Sequence, residues 1–91
     1  MKYVISFDIS DDKKRRQAVK SCLAVGFRVQ KSVFEGFLDH GELDELRASL
    51  EEIIDPETDS VRFYPLDKRM EASIEIMGCG KKIEEARYKI L

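Results

Sequence analysis

The feature that most narrows the fold is the order in which apolar residues change their spacing between Tyr3 and Tyr64. Tyr3-Val4-Ile5-Ser6-Phe7 is a nearly unbroken β-branched and aromatic run, the pattern of a strand at the centre of a sheet. Ala18, Val19, Cys22 and Leu23 then recur at three-to-four spacing. Ser10 is the expected N-cap of that helix, Asp11 and Asp12 suit the positive end of its dipole, and Gly26 is placed to end it as the C′ residue. Phe27–Gln30 and Val33–Leu38 return to strand character on either side of Lys31-Ser32. Leu43, Leu46, Leu50, Ile53 and Ile54 form a second helical stripe, opened by a capping box of Asp39 and Glu42 and closed at Asp55-Pro56. Val61–Tyr64 reads as strand up to Pro65.

The order β-α-β-β-α-β predicts an α+β, ferredoxin-like sandwich, two helices on one face of an antiparallel sheet. Residues 1–66 form this core, and 67–91 are a C-terminal extension of the same domain. Within the extension, Ala72–Ile76 alternates apolar with polar and predicts a short fifth strand, followed beyond Gly78-Cys79-Gly80 by a charged, partly helical tail. A surplus strand must pair with its own sheet or with the edge of a second copy, and the second arrangement makes a homodimer. A chain of 91 residues buries only about 60–65% of the surface its unfolded form exposes. Stability drawn from a partner copy is therefore expected.

No apolar run approaches the ~20 residues that span a bilayer, and the charged start is too short for a secretion signal, so a soluble, cytoplasmic protein is expected. Cys22, Cys79 and His40 provide neither a disulfide framework nor zinc-ligand spacing. The net charge of −2 conceals segregation. Asp11–Lys31 carries seven basic and two acidic residues, whereas Glu35–Asp59 carries ten acidic and one basic. A mildly acidic chain can thus present a basic face.

Asp8 follows directly on the first apolar run, at the carboxyl end of a strand, where a side chain is held rigidly yet meets solvent. It is the candidate catalytic residue and ligand of a hard metal such as Mg²⁺, which takes one or two carboxylates and fills its octahedron with water and phosphate oxygens. An isolated aspartate more often only caps a helix or begins a turn. Two copies facing one another across a two-fold axis would supply two carboxylates. Lys13, Lys14, Arg15 and Arg16, extended by Arg28 and Lys31, are candidates for phosphate contact, although a solvated helix face accounts for such a run equally well. Ser10, Ser32 and Phe34, with Gly36, are expected to wall the site if the third strand pairs with the first. His40, alone in a loop, is expected to be a surface residue, and no aromatic signature of an RNA-recognition motif is present.

The stretch Tyr3-Val4-Ile5-Ser6-Phe7-Asp8-Ile9-Ser10-Asp11-Asp12-Lys13-Lys14-Arg15-Arg16, followed by Gly26–Gly36 and by Asp55–Leu66, resembles the small CRISPR-associated nuclease of the spacer-acquisition module. The resemblance implies a ferredoxin-like homodimer whose two copies of Asp8 line a shared Mg²⁺ site for hydrolysis of RNA, single-stranded RNA included, or of double-stranded DNA. It also implies an adaptor role, in which the dimer bridges two dimers of the CRISPR integrase and supports duplex DNA, with hydrolysis dispensable. By position, the family's further implicated residues fall on Arg15, Arg16, Ser32 and Phe34. The alternative is a toxin-like ribonuclease of the virulence-associated D type, similar in fold, which an antitoxin gene beside it would reveal.

Overall fold

The computed structural model describes residues 1–84. Its elements are β1 (Lys2–Asp8), α1 (Asp12–Leu23), β2 (Phe27–Gln30), β3 (Val33–Phe37), α2 (His40–Ile53), β4 (Ser60–Leu66) and α3 (Lys68–Ala72). The four strands form one sheet in the order β2-β3-β1-β4, antiparallel at every pairing. This is the split β-α-β arrangement that the element order predicts.

The central position of β1 explains its composition. Ile5 and Phe7 are buried toward the helices with Ile9 just beyond the strand, and they meet Phe34 of β3, Ala18 and Cys22 of α1, and Leu43, Leu46 and Leu50 of α2. Phe7 and Phe34 stack with ring centroids 5.8 Å apart. Each large apolar side chain taken fully from water in this layer contributes about 1.5–3 kcal/mol. Residues two apart share a face, so Lys2, Val4, Ser6 and Asp8 point the other way.

Both helices are capped at their N-termini. For α2 the predicted box is present: the Glu42 N–H donates to Asp39 Oδ1 at 2.8 Å and the Asp39 N–H to Glu42 Oε1 at 3.0 Å. For α1 the cap is Asp11, not Ser10; the Lys14 N–H donates to Asp11 Oδ2 at 2.9 Å. A carboxylate outcompetes a hydroxyl here because its charge also meets the helix dipole. His40 is the first residue of α2, exposed beside its cap.

Gly26 does not end α1 in a left-handed conformation, since positive φ among the described residues occurs at Gly78 and Gly80. Its role is proximity. A Cβ on Gly26 would lie 2.7 Å from the Glu35 carbonyl oxygen, and one on Gly36 would lie 2.8 Å from that of Val25. The turn after α1 therefore packs backbone to backbone on β3.

The predicted fifth strand is corrected. Asp67 caps a helical turn, accepting the Met70 N–H at 2.8 Å, and Lys68–Ala72 are good helix formers, so Ala72 is consumed by α3. Ser73–Ile76 is not in a strand; the segment passes beside β2 and β3 along a groove of about 600 Å³ lined by Arg28, Val33, Glu35, Ile74, Ile76 and Ile83. Residues 81–84 of the predicted helical tail are not helical, and its remainder, 85–91, lies outside the described residues. Lys2 ties this segment down: its buried Nζ donates to the Ile83 carbonyl at 2.9 Å, pairs with Glu35 at 2.9 Å and sits 5.3 Å from the Phe37 ring centroid. Pro65 lies within β4, which is tolerated because β4 is an outer strand. Among the described residues no helix is long and apolar enough to cross a membrane.

Candidate metal centre and nucleic-acid interface

Asp8 is the last residue of β1, exposed, on the sheet face turned away from α1 and α2. Its ladder partner is Ser60 at the start of β4. Toward β3 the β1 ladder has already ended at Ser6 opposite Val33, followed by a Phe7 N–H bond to the Ser32 carbonyl at 3.1 Å. Ser32 therefore borders the end of β1 beside Phe7. Phe34 does not wall the site. It lies opposite Ile5 on the helix side of the sheet, fully buried, and Gly36 is buried on that side too.

Beyond Asp8 the chain turns through Ile9, which is buried, and Ser10, which is exposed. Two side chains grip this turn. Arg15 Nη1 donates to the carbonyls of Ile9 at 3.0 Å and Ser10 at 3.5 Å, and Nη2 pairs with Asp12. Asp59, from the loop before β4, accepts the Ser10 N–H on Oδ1 at 3.3 Å and the Asp55 N–H on Oδ2 at 2.9 Å. The hydrogen bond from the Asp55 amide, aided by those from the Ser10 amide and the Thr58 hydroxyl and by the charge of Lys14, holds the Asp59 carboxyl below its ordinary pKa against some desolvation.

The predicted basic cluster divides. Arg15 is committed to the turn, and Arg28 to the β2–β3 connection, where Nε and Nη2 donate to the Lys31 carbonyl at 3.0 and 2.7 Å. Lys13, Arg16 and Lys20 on α1, and Lys31 in the connection, are exposed with no side-chain hydrogen bond or ion pair among the described residues. Sequence reasoning missed Arg62. It lies opposite Ser6, hence on the Asp8 face, and its guanidinium meets the Tyr64 hydroxyl at 3.4 Å, which pushes its pKa further up. The alternation in Val61-Arg62-Phe63-Tyr64 signals that Arg62 and Tyr64 share a face, but only the register places that face with Asp8.

Among the described residues no three carboxylate, histidine or cysteine side chains come together as a metal cage. One exposed carboxylate fits the donor set of Mg²⁺, provided that water, substrate or a second copy supplies the rest.

A family model described as CRISPR associated protein Cas2 matches residues 1–74. The chain belongs to the Cas2 family. The protein of Chloroflexus aurantiacus named CRISPR-associated endoribonuclease Cas2 3 is 46% identical over 77 residues, covering 85% of this chain and 83% of that Cas2. The Thermus thermophilus protein named CRISPR-associated endonuclease Cas2 2 is 33% identical over 89 residues, 98% of this chain and 94% of the relative. The crystal structure of Streptococcus pyogenes Cas2 at pH 6.5 is similar at a TM-score of 0.76 and 35% identity, covering 86% of this chain and all of that one. The region matched to Cas2 takes in Asp8, Arg15, Asp59 and Arg62 and stops at Ile74, two residues beyond α3.

Proposed function

We propose that this chain serves CRISPR spacer acquisition as a homodimer that is both a metal-dependent endonuclease and an adaptor for duplex DNA and the integrase. The observation that carries the reading is Asp8: a carboxylate exposed at the end of a central strand, on the sheet face turned away from α1 and α2, in a chain of the Cas2 family. Asp8 of both copies would hold Mg²⁺, which would supply the positive charge that phosphodiester hydrolysis needs. Arg62 on the same face offers the phosphate a bidentate cation. Two relatives are named for cleavage of RNA or of nucleic acid generally, so RNA and double-stranded DNA are both substrates to assay.

The adaptor role is favoured by the position of Lys13, Arg16 and Lys20, which ride on α1 rather than on the Asp8 face. Backbone contact through them does not need the metal. The deciding experiment assays purified Asp8→Asn for Mg²⁺-dependent cleavage and, in parallel, for duplex binding and co-elution with the integrase. Cleavage is expected to collapse while duplex binding holds or tightens slightly, since two carboxylates that repel phosphate are gone. Undiminished cleavage would remove Asp8 from the chemistry, and loss of folding would make it a structural turn residue.

A further inference from the structure

Asp8 sits at a loosely held point in the sheet. It is the terminal residue of β1, its ladder to β3 has already ended, and the chain leaves the sheet one residue later. Strand ends of this kind fray unless contacts on the other side or beyond the strand hold them. What holds this one is the segment Asp59-Ser60: Ser60 pairs with Asp8, and Asp59 reaches Ser10, two residues further on, across 49 positions of sequence.

The contacts of Asp59 define what it can do. Oδ2 is taken by the Asp55 N–H, Oδ1 by the Ser10 N–H and by the Thr58 hydroxyl at 3.3 Å. A carboxylate already accepting three donors is poorly placed to be a metal ligand itself. It is well placed to fix a peptide, because a charged acceptor keeps part of its attraction at 3.3 Å, just beyond the usual N–H···O range. Arg15 grips the same peptide from its carbonyl side. The turn after Asp8 is thus clamped on N–H and C=O by two side chains of opposite charge.

We propose that Asp59 is a positioning residue for Asp8, fixing the turn that follows it and so the direction in which the Asp8 carboxylate meets a divalent cation. This rests on the reading of Asp8 as a metal ligand. Groups that orient a ligand carry much of a site's affinity, and their loss typically costs about 10–100-fold in metal binding or activity.

The test uses the full chain with Mn²⁺ as a paramagnetic probe, titrated by electron paramagnetic resonance in the parent, Asp59→Ala, Asp59→Asn, Asp8→Asn and the Asp8→Asn/Asp59→Ala double variant. Asp59→Ala is expected to weaken Mn²⁺ binding about 10–100-fold, to lower kcat with the KM for nucleic acid unchanged, and to strip the Ser10 amide of its protection from hydrogen exchange. Asp59→Asn keeps one acceptor oxygen and should fall between Asp59→Ala and the parent; it carries the test should the alanine variant not fold. In the Asp8→Asn background, Asp59→Ala should change Mn²⁺ binding no further. Parent-like Mn²⁺ binding in Asp59→Ala and Asp59→Asn, where Asp8→Asn has lost it, overturns the positioning role and leaves Asp8 as ligand. Parent-like binding in Asp8→Asn overturns the reading of the site and the positioning role with it.

Discussion

The two cysteines are chemically opposite. Cys22 is fully buried in the core and desolvation pushes its thiol up to about 11, whereas Cys79 is exposed. Since the thiolate is the nucleophile, a native-state titration with a thiol reagent at pH 8 should find one fast thiol, lost in Cys79→Ser, with Cys22 reacting only on unfolding. Asp59 makes its own pH signature. Its folded pKa lies below the ordinary 3.8, so its contribution to stability is complete above that value and is lost as pH falls through the lowered one. Thermal melts between pH about 6 and 3 should therefore show a shallower acid decline in Asp59→Asn than in the parent. Neither role was legible in the sequence. Asp8 stood out as a candidate because it ends an apolar run; Asp59 sits among Asp55, Glu57 and Thr58, and only the β1–β4 register tells which acidic residue of that loop reaches Ser10.

The cations of α1 separate at the level of the helix. Arg16→Ala should weaken duplex binding for all sequences and flatten the dependence of log K on log salt by about 0.9. Arg15→Ala should instead lower stability and loosen the Asp8 turn, because its guanidinium is occupied by Ile9, Ser10 and Asp12. A salt titration of the two variants side by side separates them; equal slopes in Arg16→Ala and parent would return that residue to a solvated face. The connection from α1 to β3 depends on two missing side chains. Gly36→Ala places a methyl 2.8 Å from a carbonyl that cannot move independently, and overpacking of this kind costs about 1–3 kcal/mol. Urea unfolding should show a lower midpoint with unchanged slope. Apolar spacing made the strands and helices readable, and the Asp39–Glu42 box was readable from its offset of three. The purpose of Gly26 was not, since a close approach between β3 and a turn involves residues far apart in sequence.

Across the whole molecule the N-terminal strand and the C-terminal segment meet at Lys2. Lys2→Ala leaves Glu35, partly exposed, without its cation and frees the Ile83 carbonyl, which should cost roughly 2–3 kcal/mol. Lys2→Met should recover part of that loss by filling the space. The fifth strand was misread because alternation over five residues cannot register that Asp67 starts a helix that uses up the first of them. The outer edge of β4 has a further consequence for assembly. Pro65 has no N–H to offer a strand laid along that edge, so an added strand can form an unbroken ladder only over the stretch before it. Short, specific capture of one chain is permitted, and open-ended growth from sheet to sheet is interrupted at that residue.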